Sequence, residues 1–148
     1  MNNIKSLVNK IVKKYGTRDP FKIANELDVI LLTVPLKDVN GFYQYYKRNY
    51  IIYLNENLDE NERRIILAHE LGHLFLHKKT NAIFMSYYTA FSKSKLEKQA
   101  DIFASELLIS DNDIMELKDF TREQIANSLG VGIEYVNNKI DNLAITKW

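Results

Sequence analysis

The chain has 148 residues, 46% of them hydrophobic and 26% charged, with a formal net charge of +1. That length suits one folded domain with at most a small appendage, and the near-neutral balance gives no global attraction to nucleic acid or anionic membrane. There is no cysteine, so no disulfide framework is available, and any metal site must be built from histidine and carboxylate.

Ile4, Leu7, Val8, Ile11 and Val12 recur at helical spacing, with Lys5, Lys10, Lys13 and Lys14 between them. This predicts an amphipathic first helix ending near Gly16. No apolar core with a small-residue cleavage site follows these lysines, and no apolar run reaches the length of a membrane span. The expectation is an intracellular, cytoplasmic protein. Asp19-Pro20 has the form of an N-cap and first helical residue, opening a second helix to about Leu27.

Val29 to Val34 is aliphatic and β-branched, which predicts a buried strand closed by Pro35. Gly41 to Tyr46 and Tyr50 to Leu54 predict two further strands around a turn at Lys47-Arg48-Asn49. Tyr43, Tyr45, Tyr46, Tyr50 and Tyr53 fit strand propensity better than a base-stacking surface. Asp59 and Glu62 form a capping box ahead of a helix carrying Ile65, Ile66, Leu67, Leu71, Leu74 and Phe75. Gly72 weakens that helix relative to alanine, which predicts close approach of another chain segment to its face.

Lys78 to Ser94 shows no clear period and carries Phe84, Met85, Tyr87, Tyr88 and Phe91, suggesting strand and loop along the site. Lys95 to about Ile109 is the next helix, with Leu96, Ala100, Phe103, Ala104, Leu107 and Leu108 as its apolar stripe. A short helix from Asp111 to Leu117 and two more between Thr121 and Leu143 complete the chain. The expected fold class is α+β: a small antiparallel sheet over about Val29 to Leu54, packed by a helical core. Residues 1–118 form the main domain and 119–148 a small helical element.

The chemistry lies in His69-Glu70-Leu71-Gly72-His73. Histidines four apart on a helix share one face, so both imidazoles can point at one ion, and imidazole is a standard zinc ligand. Glu70 follows the first ligand and can reach a metal-bound water without occupying the metal, the arrangement of a zinc hydrolase. His77 is poorly placed as the third ligand. It lies eight residues past His69, roughly 12 Å along a helix axis at about 1.5 Å per residue. It reads instead as a cation near the helix C-terminus, or as a hydrogen-bond donor to substrate.

The chain holds no other histidine, so the third ligand is sought among carboxylates. Glu97 and Asp101 are four apart on the edge of an apolar face, where acids are costly unless they bind metal or pair with a donor. Glu97 as ligand and Asp101 as acceptor for a ligand imidazole N–H would satisfy both. An ordinary pair of helix-edge acids is the competing reading. Glu106 falls about half a turn out of phase with Glu97 at about 3.6 residues per turn and is expected to face water. The predicted site is one Zn²⁺ on His69, His73 and Glu97 with Glu70 as general base. His77, Tyr87 and Tyr88 are unranked candidates for oxyanion or substrate contacts.

Ile65 to His77, together with Glu97 to Leu108, resembles the ImmA/IrrE metallopeptidase family, and the Glu97-to-Asp101 spacing is similar to that of gluzincin peptidases, whose Glu is a ligand. The passage Ile51 to Arg64, including Asn55, is similar as well. Two departures stand out: Ser110, where the family often has proline, and Gln99 in place of a common glutamate. The resemblance implies a zincin-like helical core. It also implies an intracellular zinc endopeptidase that cleaves a helix-turn-helix repressor, several members belonging to phages and mobile elements. The competing function is a non-cleaving module that docks a repressor or DNA and keeps a structural zinc.

Gln124 to Val136 looks like a helix-turn-helix, but its second helix carries Glu134 and Asp141 beside a single lysine, Lys139. Phosphate binding needs clustered Lys and Arg. The tail is therefore expected to dock protein rather than bind DNA tightly.

Overall fold

The computed structural model describes residues 2–77 and 90–146. Helices α1 (Asn2–Tyr15) and α2 (Pro20–Glu26) precede strands β1 (Ile30–Val34), β2 (Gly41–Tyr46) and β3 (Asn49–Asn55). Then come α3 (Glu60–Leu76), α4 (Ala90–Leu108), α5 (Asp111–Glu116), α6 (Arg122–Leu129) and α7 (Ile133–Thr146). The fold is α+β, with the helices packed on a three-stranded sheet.

Local chemistry explains most boundaries. Asp19 Oδ1 accepts from the Phe21 backbone N–H at 2.9 Å, with Pro20 at the first helical position. Both bonds of the Asp59–Glu62 capping box form, at 2.8 and 3.0 Å. Ser110, at the position where proline would be usual, caps α5 through a reciprocal pair with Asp113. Gly130 closes α6 in the left-handed region at φ +68°. The turn between β2 and β3 is tighter than expected: Lys47 and Arg48 both have positive φ, 49° and 67°. That is the demand of a two-residue hairpin turn whose twist matches its strands.

Two sheet expectations are corrected. The sheet is mixed, because β3 lies between the other two strands, antiparallel to β2 and parallel to β1. β1 is consequently an edge strand rather than a buried one, and Ile30 and Leu32 are exposed. Its apolar composition reflects strand propensity, and burial is decided by strand order, which no local pattern carries. The inner face, with Tyr43, Ile52 and Leu54, packs against Leu67 and Leu71 of α3, all nearly inaccessible.

Two helical expectations also change. α4 begins at Ala90, before Lys95; the rest of the stretch read as strand and loop, residues 78–89 with Tyr87 and Tyr88, lies outside the described residues. Glu106 does not face water. It is 3% exposed and accepts from Lys139 Nζ at 2.7 Å and Asn142 Nδ2 at 2.9 Å. The face of α4 opposite the site is covered by α7, and Lys139 supplies the cation that a buried carboxylate requires. Lys139 also donates to Asp111 at 2.6 Å, and Asp111 pairs with Lys5 of α1 at 2.9 Å. Among the described residues no helix is long and apolar enough to cross a membrane.

Candidate metal centre

The site is built where α3 crosses α4. A Cβ on Gly72 would lie 3.1 Å from the Cα and carbonyl oxygen of Ala100 and from Phe103 Cβ. The bare backbone lets the helices close to that distance, and Phe75 stacks on Phe103 beside it at 5.6 Å. This brings the acid-bearing face of α4 opposite the histidine-bearing face of α3.

Glu97 reaches both imidazoles. Its Oε2 is 2.9 Å from His69 Nε2 and its Oε1 is 3.0 Å from His73 Nε2. His69, His73 and Glu97 each offer one ligand atom, all within 4.8 Å of one another. The opposite nitrogens are tied down: His69 Nδ1 donates to Asp101 Oδ1 at 2.8 Å, and His73 Nδ1 lies 3.0 Å from His77 Nδ1. Tyr43 stacks on His73 with centroids 5.3 Å apart and rings 17° from parallel. Glu70, 5% exposed, lines the same cleft.

Electrostatics mark the cluster as short of positive charge. Burial alone would lower the His69 imidazole, but hydrogen bonds to Asp101 and Glu97 and the nearby Glu70 carboxylate outweigh it and lift it to about 10. The same two histidines hold the Glu97 carboxyl far below the usual carboxylate range. Burial pushes Glu70 up, against the pull of His69 and His73. Three carboxylates, Glu70, Glu97 and Asp101, thus converge on the His69 and His73 imidazoles. Two imidazoles and a carboxylate are a donor set that fits a divalent transition-metal ion.

The cleft holds about 440 Å³ and is lined also by Val39, Asn40, Gly41, Phe42, Ile66 and Tyr135. Asn55 shapes its rim, donating to the carbonyls of Leu36 and Val39 at 2.7 and 3.1 Å. Tyr135 went unnoticed in the sequence because it belongs to α7, whose approach depends on packing against α4. Burial, then the charges of Asp101, Glu134 and Glu97, push its phenol up, so it stays a donor. His77 caps α3 and is outside the cleft lining.

A helical body with a short mixed sheet and two facing helices that bring His69, His73 and Glu97 together is the setting of a metallopeptidase-like site. A peptidase family model described as the IrrE N-terminal-like domain matches residues 24–141. The chain belongs to the ImmA/IrrE family. It is 39% identical over 139 residues to an uncharacterized immunity region protein 2 of Bacillus phage phi105, covering 92% of this chain and 88% of that one. It is 37% identical over 129 residues to metallopeptidase ImmA of Bacillus subtilis strain 168, covering 83% and 75%. A Mycobacterium tuberculosis transcriptional regulator shares the fold, with a TM-score of 0.66 at 13% identity. That match covers 94% of this chain but 46% of the regulator, so the chain spans about half of its length.

Proposed function

We propose that the protein is a zinc-dependent endopeptidase that cuts a protein regulator of a phage or mobile element, most simply a helix-turn-helix repressor. The observation that carries this reading is the convergence of His69, His73 and Glu97 with Glu70 in one cleft. The phage immunity-region relative and the family membership support the choice of regulator. A structural ion would more often have four protein ligands. Among the described residues the group comprises three, which favours catalysis over a docking module.

Zinc bound there would supply Lewis acidity, polarising a peptide carbonyl and acidifying water. Glu70, buried and raised, takes the proton from the attacking water and returns it to the leaving amine. Asp101 holds the His69 ring through its Nδ1–H. Tyr135 is the donor for the developing oxyanion that sequence alone left open, since its phenol stays protonated at the cleft wall. Among the described residues β2 pairs only with β3, and its other edge there offers backbone groups to an extended peptide beside the site.

The test co-expresses the chain with a candidate helix-turn-helix repressor and maps fragments by mass spectrometry, with zinc content measured in parallel. Glu70→Gln is expected to keep zinc and lose cleavage by about 10²–10⁴-fold or more. Cleavage by Glu70→Gln at the wild-type rate overturns the mechanism, and loss of no repressor in the wild type overturns the substrate.

A further inference from the structure

Beyond the ligands, a second row of groups runs away from the cleft. His73 Nδ1 lies 3.0 Å from His77 Nδ1, and His77 Nε2 lies 2.8 Å from Gln99 Oε1. Both histidines are buried, and the rings are 5.2 Å apart. Gln99 stands on α4 between Glu97 and Ala100, two residues past the candidate ligand, so one helix supplies both ends of the arrangement.

The polarity of this row follows from its outer end. An amide oxygen has no proton to give, so His77 Nε2 must donate to Gln99 Oε1. A neutral His77 then has a lone pair on Nδ1, and the proton between the two histidines belongs to His73 Nδ1. That leaves His73 Nε2 as the nitrogen for an ion, which would replace the proton now shared with Glu97 Oε1 at 3.0 Å, on the side where His69 Nε2 also points. With the row reversed, the Nε2 proton would be the ring's only one, and ligation there would require that proton to move to Nδ1. His69 is served by a carboxylate in the same role; His73 is served by a histidine backed by an amide.

We propose that His77 and Gln99 are positioning residues, a relay that fixes the tautomer and ring orientation of His73 for metal binding. This rests on the reading of His73 as a zinc ligand. It also assigns Gln99 the work of the acid that the family commonly has there: Gln99 meets the requirement because its oxygen, not its charge, is what His77 needs.

The experiment measures zinc affinity of the purified full chain by competition with a chromophoric chelator, with no substrate present. Outer hydrogen-bond partners of ligand histidines are worth about 10–100-fold in metal affinity. His77→Phe is expected to weaken zinc within that range, and Gln99→Leu by about tenfold, at its low end. Gln99→Glu, which keeps the acceptor, should bind at least as tightly as the wild type. Imidazole ¹⁵N shifts of the zinc-loaded wild type should place the His73 proton on Nδ1. Wild-type affinity in both His77→Phe and Gln99→Leu overturns the relay alone, as does equal weakening by Gln99→Leu and Gln99→Glu. A wild-type chain that binds no zinc overturns the relay and the metal reading together. Because Gln99 is partly exposed at the surface of α4, its variants keep the test open if His77→Phe fails to fold.

Discussion

Helix α4 carries buried or half-buried acids on two faces, and they are balanced in different ways. On the face toward α7, Glu106 meets the Nζ of Lys139 and the amide of Asn142. On the face toward α3, the partners of Glu97 and Asp101 among the described residues are imidazoles. The first arrangement carries its own cation within the fold. The second is complete only while a proton, or an ion in its place, sits among the histidines. The difference separates a junction that holds the fold from a centre built to take up a cation.

The largest effect expected from breaking this comparison is at the metal. Glu97→Ala removes a proposed ligand, so zinc affinity should fall by more than the ~100-fold upper range for outer partners. Isothermal titration or chelator competition measures it. Zinc retained at wild-type affinity would remove Glu97 from the site.

On the other face, Lys139→Met leaves Glu106 buried without its cation, which costs about 3–5 kcal/mol when one partner of a buried pair is lost. Denaturant unfolding should show that loss. The double change Glu106→Gln with Lys139→Met should recover most of it, because replacing both members of a buried pair is often neutral. Zinc binding by the folded fraction should be unchanged in either variant. A fall in zinc affinity equal to that of Glu97→Ala would mean that the two faces are not separable.

Much of this was legible in the sequence. Asp19-Pro20 and the Asp59–Glu62 box announce helix starts because capping is local chemistry between neighbours. Gly72 announces the α3–α4 crossing because a glycine inside an apolar helix needs a packing reason. The pairing of His69 with His73, and of Glu97 with Asp101, was readable because helical spacing decides what shares a face. The edge position of β1, the burial of Glu106 and the approach of Tyr135 were not. Each is set by which distant element packs where: β3 inserting between two strands, and α7 covering α4. A helical phase says which residues lie on opposite faces, but not that the second face is also covered.

The pH dependence of the metal-free protein sharpens the same contrast. His69 is lifted from 6.5 to about 10, so the stability it contributes is present below pH 6.5 and is lost as the pH rises toward 10. Glu70, raised by burial, acts in the same direction above its ordinary range. Glu97, held low, contributes stability that is lost only as the pH falls below its ordinary 4.5. The unfolding free energy of metal-free protein should therefore fall on the alkaline side, with a slope below about 1.4 kcal/mol per pH unit for one proton, and the melting midpoint should fall with it. His69→Gln should flatten the fall, as should saturating zinc, while Lys139→Met should leave its slope unchanged. A metal-free midpoint that rises over this interval contradicts the assignment.

The smallest expected effect comes from the crossing itself. Gly72→Ala adds a methyl group at 3.1 Å from the Ala100 backbone and the Phe103 Cβ, none of which is the free end of a flexible side chain. Alanine is the better helix former by about 1 kcal/mol, so propensity alone predicts stabilisation. Overpacking of a close helix contact costs about 1–3 kcal/mol, which outweighs that gain. The net loss in unfolding free energy is expected to be modest, and the geometric effect is the more telling. Glu97 lies one helical turn before Asp101, and both depend on α4 staying close to α3. A shift of a few tenths of an ångström at the crossing moves them away from His69 and His73 but leaves Glu106 and Lys139 together, since α7 moves with α4. Gly72→Ala should therefore weaken zinc binding more than it lowers the melting midpoint would suggest, whereas Lys139→Met should do the reverse. If Gly72→Ala is more stable than the wild type and binds zinc equally well, the close crossing is not what assembles the site.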